Sequence, residues 1–239
     1  MPSRLTIREV WSAADPAFDA AHRLFRRIFP RAELLPKGEW AYAMREREAG
    51  LWTDLDWHML VAQRGGTVIG AASGSYVGNI NVGIIGYIAV DPGTRATGIG
   101  PKLRRRLRLA FERNAKLVRG RPLKAIVGEV RVDNPWLRTL VRREGAIALD
   151  FPYYQPSLHR SAKPVPLVLY YQPLPAPRTS LSAAEVRRLL YTIWRRPYRI
   201  ARPLSRAPFR HMLKALEGRR SIGQRPLPPA VPRRTTQVS

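Results

Sequence analysis

Apolar and polar residues alternate from Arg4 to Val10, the two-residue period of a half-buried strand. After Asp15-Pro16, a cap with proline in the first turn, the period changes: Phe18, Ala21, Leu24, Phe25 and Ile28 form one helical stripe, which Phe29-Pro30 ends. A second helix is predicted over Lys37–Glu48, closed by Gly50. Trp57–Gln63 and Thr67–Val77 read as strands joined by the turn Arg64-Gly65-Gly66, and Gly78-Asn79 turns the chain into the apolar strand Val82–Val90. A helix over Ile99–Leu117 carries Leu103, Leu107, Ala110 and Phe111 on its apolar side. Leu123–Val130 is another strand, and Asn134–Arg143 a short helix ended by Gly145. Two strands follow at about 146–155 and 165–172; their shared Tyr-Tyr-Gln-Pro reads as a mark of neighbouring strands, not of a solenoid repeat.

Beyond Pro173–Pro177 the pattern predicts a different region. Ser182-Ala183-Ala184-Glu185 is a capping box opening a helix with Val186, Leu189, Leu190 and Ile193 on one side, broken by Pro197. A last helix carries Phe209, Met212, Leu213 and Leu216 before Gly218. From Arg219 on, proline and arginine leave too little apolar surface to fold. The expected organisation is therefore a domain at 1–176, a basic helical extension at 177–218 and a disordered tail at 219–239.

Charge sharpens that division. The 239 residues carry 42 lysines and arginines against 17 acids; residues 151–239 hold 17 of those bases and only two acids, Glu185 and Glu217. A field of this sign favours phosphate-rich partners: nucleotides, nucleic acid, anionic membrane surfaces. Arg187, Arg188, Arg195, Arg196, Arg199, Arg202 and Arg206, interleaved with Tyr191, Trp194 and Tyr198, read either as a polyanion contact or as the solvated face of a helix packed on the domain. With no cysteine there are no disulfides, thiolate metal sites or cysteine-acyl chemistry, which suits a cytoplasmic chain. No apolar run spans a bilayer, no secretory signal is expected, and no histidine pairs with carboxylates at metal-ligand spacing.

The stretch with chemistry is Gly86 to Leu103: a strand ending Ile88-Ala89-Val90, a loop, then Arg95-Ala96-Thr97-Gly98-Ile99-Gly100 entering a helix, with Lys102 in its first turn. A glycine turn into a helix presents unpaired backbone N–H groups and the positive end of the helix dipole, a cradle for phosphate. It is not a P-loop, since Pro101-Lys102-Leu103 follows Gly100, and not a dinucleotide fingerprint, since Leu103 stands where the third glycine belongs.

Arg95–Gly100 after Tyr87–Val90 resembles the coenzyme A pyrophosphate motif of the GNAT N-acetyltransferase superfamily, and the order of elements over about residues 3–173 resembles it too. The resemblance implies a mixed α/β (α+β) fold, a mostly antiparallel central sheet flanked by helices. It implies acetyl-CoA as co-substrate, with the backbone of Ile88, Ala89 and Val90 on pantetheine. Arg95, Ala96, Thr97, Gly98, Ile99, Gly100 and Lys102 would hold the pyrophosphate, and Asn134 the coenzyme from the next helix. The implied reaction is direct acetyl transfer to an amine in a ternary complex, with no metal. The alternative is a non-catalytic acyl-CoA-binding module docked on nucleic acid or a ribonucleoprotein through the basic extension. The tyrosine that many relatives carry seven residues after the asparagine is Val141 here.

An attacking amine must first lose a proton, which at pH 7 costs roughly 4–5 kcal/mol for a lysine-like group. Glu129, late in the strand beside the coenzyme strand, is the candidate base; its other reading is a salt bridge to Arg131 or a neighbouring strand. Tyr154 (or Tyr153) is the candidate acid, with core or rim packing as the alternative. His58 reads as a structural histidine before a catalytic one. Trp40, Trp52 and Trp57 either line an acceptor cleft or belong to the core. The acceptor's identity and whether the chain forms a homodimer are not in the sequence; the positive field disfavours polyamines.

Overall fold

A computed structural model describes residues 4–51, 54–159 and 162–227. Trp52 and the tail from 228 lie outside the described residues. The chain runs β1 (Leu5–Glu9), α1 (Pro16–Ile28), α2 (Lys37–Glu48), β2 (Leu55–Arg64), β3 (Thr67–Val77), β4 (Val82–Val90), α3 (Ile99–Arg119), β5 (Ala125–Val130), α4 (Pro135–Glu144), β6 (Ile147–Ala148), β7 (Tyr153–Gln155) and β8 (Val165–Pro173). It continues as β9 (Ser180–Ser182), α5 (Ala183–Arg195), α6 (Ala207–Lys214) and β10 (Ser221–Gly223). The expected α/β class holds: the main sheet has the order β1-β2-β3-β4-β5-β8-β6, with β7 also on β8. Its pairs are antiparallel except β4 with β5.

Local chemistry sets the helix ends. Asp15 caps α1 by accepting from the Ala17 N–H, Asn134 caps α4 by accepting from the Trp136 N–H, and Ser182 and Glu185 complete the capping box of α5. Gly120 and Gly145 close α3 and α4 in the left-handed conformation that glycine adopts without strain.

Strand alternation divides the core. Ala62, Ala72, Tyr76, Ile85 and Ile126 face α3 and α4, packing on Leu103, Leu107 and Phe111. Met59, Val61, Ala71, Tyr87 and Ala89 face α1 and α2. Across β5 and β8, Val127, Leu169 and Tyr171 pack on Val186, Leu190, Ile193, Trp194, Phe209 and Met212 of α5 and α6. The hydrophobic contacts thus run across the expected boundary at 176/177, and the C-terminal helices form part of the layer over the sheet.

Three local details differ from expectation. The stretch 146–155 is not one strand: it breaks between β6 and β7, where Phe151 turns into the core and the Leu149 N–H still reaches the Leu169 carbonyl at 3.0 Å. The tail does not become irregular at 219: β10 pairs with β9, Ile222 is fully buried and Gln224 bridges Leu149. One apolar residue at the right register suffices there, because the open edge of β9 supplies the backbone partners. Finally, the extension's aromatics do not form an exposed stacking face. Trp194 is buried, Tyr198 is partly buried, and of the three only Tyr191 is exposed.

Trp194→Ala should cost about 3–5 kcal/mol and shift a single denaturant transition followed by both fluorescence and circular dichroism. A separate early transition, with the main one unmoved, would show instead that the C-terminal helices melt alone.

Candidate active site

The site begins where the parallel pair ends. β4 and β5 are paired from Val82–Ala125 to Ile85–Gly128, and no further. On its other edge β4 stays paired with β3, but the register jumps from Gly74–Ile85 to Ser73–Tyr87, leaving Gly86 as an extra, bulged residue. The bulge resets the strand's parity: Ile84 and Tyr87 lie on one face, Ile85 and Ile88 on the other. Beyond it the Asp91 N–H donates to the Ile69 carbonyl at 2.9 Å. The alternation of an antiparallel pair then points the backbone groups of Ile88 and Val90 away from β3, toward the gap left by β5. Gly128 sits at the parting point because a Cβ there would lie 2.5 Å from the Tyr170 hydroxyl.

Because β4 and β5 are parallel, the helices that follow them start at the same end of the sheet, on either side of the gap. α3 is entered through Gly98 at φ +75°, and Ala96 is also left-handed, at φ +64°, a conformation costly for a residue with a Cβ. Arg95 to Gly98 and Lys102 are exposed, Ile99 is buried as the anchor, and nothing lies within 4 Å of a Cβ built on Gly98. Thr97 Oγ1 donates to the Thr94 carbonyl at 2.6 Å, and Asp91 is held by Arg27 at 2.9 Å. The turn is open, and its helix N-terminus and cationic side chains suit a pyrophosphate. The structure thus brings Ile88, Ala89, Val90 and Arg95–Gly100 to one end of the gap. Asn134 stands exposed across it, with Oδ1 committed to capping α4 at 3.0 Å from the Trp136 nitrogen.

Glu129 is the first residue of β5 past the parting point. It faces the α2 and α5 side, at a cavity of about 60 Å³ bordered by Leu35, Trp40, Trp57, Gly86, Tyr87 and Tyr198. Its carboxylate accepts from the Tyr153 hydroxyl and, at 2.5 Å, from the Tyr198 hydroxyl. Arg131 pairs instead with Glu33 and Asp133, so the alternative of a Glu129–Arg131 salt bridge is not realised. Removal from water raises the Glu129 pKa to about 7, against the lowering effect of the two tyrosine donors. Burial and the nearby carboxylate in turn hold both tyrosines well above the ordinary phenol range.

Tyr154, the candidate acid, lies on the opposite face of β7 from Tyr153. Its ring meets His211 of α6 edge-on with centroids 5.8 Å apart, and its amide contacts Met212. The structure does not bring it to Glu129; strand alternation gives that place to Tyr153. Val141 packs against the core. His58 is a buried structural residue between Glu9 at 2.6 Å and Asn114 at 2.8 Å. Trp40 and Trp57 do border the cavity. Tyr198, 69 residues from Glu129, reads in the sequence only as one of the aromatics among the arginines, and Tyr87 only as part of the coenzyme strand. Tyr87 donates to the Glu33 carbonyl at 2.8 Å and accepts from the Leu35 N–H at 3.0 Å, which fixes the loop before α2 beside the cavity.

Among the described residues no group of side chains is arranged to hold a metal ion, and no helix is long and apolar enough to cross a membrane. The bulged, parting parallel pair with an open left-handed turn at its end defines an α/β protein whose sheet is opened at one end. Residues 18–120 match the model of the acetyltransferase (GNAT) family. Over those residues the chain is similar to the GNAT acetyltransferases. No curated protein matches its sequence. Among solved structures it is similar to a Bacteroides thetaiotaomicron protein assigned to the GNAT acetyltransferases: 17% identity, TM-score 0.54, 79% of this chain and 97% of that one. It is also similar to an N-acetyltransferase of Staphylococcus aureus Mu50 (15%, 0.51, 72% and 99%) and to Salmonella typhimurium yncA, solved with acetyl-CoA (19%, 0.50, 74% and 97%). At these identities the likeness is one of fold.

The raised pKa of Glu129 has a sign that stability measurements can read. Its favourable contribution is complete below the unfolded pKa of about 4.5 and is lost as pH rises through about 7. Glu129→Gln, which cannot ionise, should therefore gain about 2–3 kcal/mol relative to the parent between pH 5 and pH 8, measured by denaturant unfolding at both pH values. A constant difference between the two proteins would contradict a partly buried, proton-holding Glu129.

Proposed function

We propose that the protein transfers an acetyl group from acetyl-CoA to an amine acceptor within a ternary complex. The observation that carries this reading is the coincidence at one gap of three features. These are an open left-handed turn at the α3 N-terminus, free backbone edges at Ile88 and Val90, and a proton-accepting carboxylate, Glu129, at a cavity beside Gly86. Arg95 to Gly100 and Lys102 would hold the pyrophosphate, with Asn134 near the coenzyme from α4. The backbone of Ile88, Ala89 and Val90 would orient the pantetheine arm as an added strand edge. When bound, the coenzyme supplies an activated thioester carbon.

The residues of the chain then have to deliver a neutral amine. A carboxylate with a pKa near 7 is suited to this, since it is substantially ionised at neutral pH yet holds a proton more firmly than an exposed glutamate. Glu129 takes the amine's proton directly or through one water, and Tyr153 and Tyr198 keep the carboxylate oriented at the cavity. A backbone N–H at the parted edge of β4 is positioned to donate to the carbonyl oxygen as negative charge develops, a contribution worth about 3 kcal/mol. Against the non-catalytic alternative, the surroundings of Glu129 suit a base, and Arg196 and Arg199, two of the arginines of the basic extension, are paired with Asp54 and Glu46. Both observations support the enzymatic reading.

Gly98→Asp meets no clash but costs about 1 kcal/mol of left-handed backbone strain. The protein should still fold, and acetyl-CoA binding should weaken more than about tenfold from the carboxylate placed in the cradle, whereas Gly98→Ala, with the same backbone cost and no charge, should weaken it less. Calorimetry showing unchanged affinity would refute the cradle. Glu129→Gln should lower kcat by about 10²–10⁴-fold with the acetyl-CoA affinity preserved. In the parent enzyme, thiol release at saturating amine should fall off below about pH 7. A profile that keeps its acid limb in Glu129→Gln would acquit this carboxylate.

A further inference from the structure

The segment after α5 forms part of the Glu129 cavity. Arg196 makes a two-pronged pair with Asp54, at 2.8 and 2.5 Å, ahead of β2. Three residues later Arg199 pairs with Glu46 of α2 and lies 4.9 Å from the Tyr42 ring centre. Between them the Tyr198 N–H returns to the Ile193 carbonyl at 3.2 Å, and the Ile200 N–H to that of Trp194 at 2.9 Å. Arg199 itself sits at φ +55°, a left-handed conformation that an arginine rarely adopts and that the two ion pairs hold in place. Residues 196–200 are thus a strap tied at both ends, with the Tyr198 hydroxyl turned inward to Glu129.

The strap also bounds a second cavity, of about 240 Å³, between itself and α2, lined by Pro36, Glu39, Ala43, Glu46, Leu158 and Ile200 among others. The outer and inner cavities share Leu35, Trp40, Trp57, Ser75, Pro197 and Tyr198, so Tyr198 stands where one meets the other. The inner space of about 60 Å³ is that of roughly two water molecules. So small a space beside Glu129 favours an amino group on a slim carbon chain over one whose first carbon is branched.

On the acyl-transfer reading, we infer that the strap Arg196–Ile200 is the acceptor's wall, that Tyr198 is a positioning residue for Glu129, and that the acceptor admitted is a primary amine on a slim, unbranched chain. The groups facing Glu129 are the hydroxyls of Tyr153 from β7 and Tyr198 from the strap, with Tyr87 of β4 close by and the Glu33 carboxylate acting from the turn before α2. Loss of one hydroxyl donor destabilises the ionised form of the carboxylate, so its titration moves upward.

The test uses full-length protein, acetyl-CoA and three acceptors: n-pentylamine, 2-aminopentane and an alanine tripeptide. The parent should use n-pentylamine at least about tenfold better in kcat/KM than either of the others. Tyr198→Phe should lower kcat and move its acid limb up by about one pH unit without changing the KM for acetyl-CoA. Arg199→Ala, which unties one end of the strap and leaves Tyr153 and Tyr198 in place, should narrow the preference against 2-aminopentane. Equal use of the tripeptide, or an unmoved limb in Tyr198→Phe, would overturn the inference. Infrared titration of the Glu129 carboxyl, assigned through Glu129→Gln and done without acceptor, separates the two levels. If acetyl-CoA binds but no amine is acetylated, the transfer reading fails and the acceptor inference with it. The Tyr198 role is then decided by whether the infrared midpoint rises in Tyr198→Phe. Should that variant not fold, Arg199→Ala and the acceptor ranking still decide the wall.

Discussion

A parallel pair of strands that cannot stay paired is the constraint on which the site depends. β4 and β5 share only the register Val82–Ala125 to Ile85–Gly128 before Gly86 bulges and the strands part. Every unpaired backbone group in that gap must meet water or a ligand, since buried, unpartnered amides are costly. The parting places the α3 and α4 N-termini on either side of an opening and turns one free edge of β4 into it. It also leaves Glu129, the next residue on β5, facing the opposite layer with no strand partner on the β4 side. The phosphate-type turn and the base candidate are two consequences of one discontinuity.

Burial makes the second consequence chemical. A glutamate at the surface would titrate near 4.5 and hold a proton too weakly to serve an amine well. Desolvation raises Glu129 to about 7, and the Tyr153 and Tyr198 hydroxyls moderate the rise and fix the carboxylate's direction. The arrangement needs a lid that excludes water without supplying a cation, for a nearby guanidinium would pull the pKa back down. The C-terminal layer meets that need: Ile193, Pro197 and Tyr198 close the cavity, while Arg196 and Arg199 are drawn away to Asp54 and Glu46.

This recasts the positive charge of the last third of the chain. Acids are scarce there, so Arg196 and Arg199 find partners in the preceding domain, Asp54 and Glu46, while Arg187 donates to the Leu216 carbonyl of its own region. Part of what composition presents as a field for polyanions is spent in fastening one layer to another. Buried Trp194, Phe209 and Met212 do the rest, and they explain why the region is not a detachable appendage.

Much of the architecture could be read from the sequence, because its determinants are local. Helical and strand periods gave most elements to within a residue or two, the caps at Asp15, Asn134 and Ser182 act within three residues, and the Arg95–Gly100 turn is a contiguous signal. The break at Asp150–Pro152 and the strand at Ser221–Gly223 escaped because both are set by partners far along the chain: Leu169 for the first, β9 for the second. Glu129 could be picked out as a base candidate by its place in β5. Its neighbours could not, since choosing Tyr153 over Tyr154 turns on strand parity after an irregular bend, and Tyr198 reaches it across 69 residues. The sequence by itself determined the elements, their class and the phosphate-type turn, all of which depend on neighbours within a few positions. The tertiary structure alone decided which hydroxyls meet the carboxylate, how far desolvation raises its pKa and how much room is left beside it, because those depend on distances between side chains that no local pattern encodes.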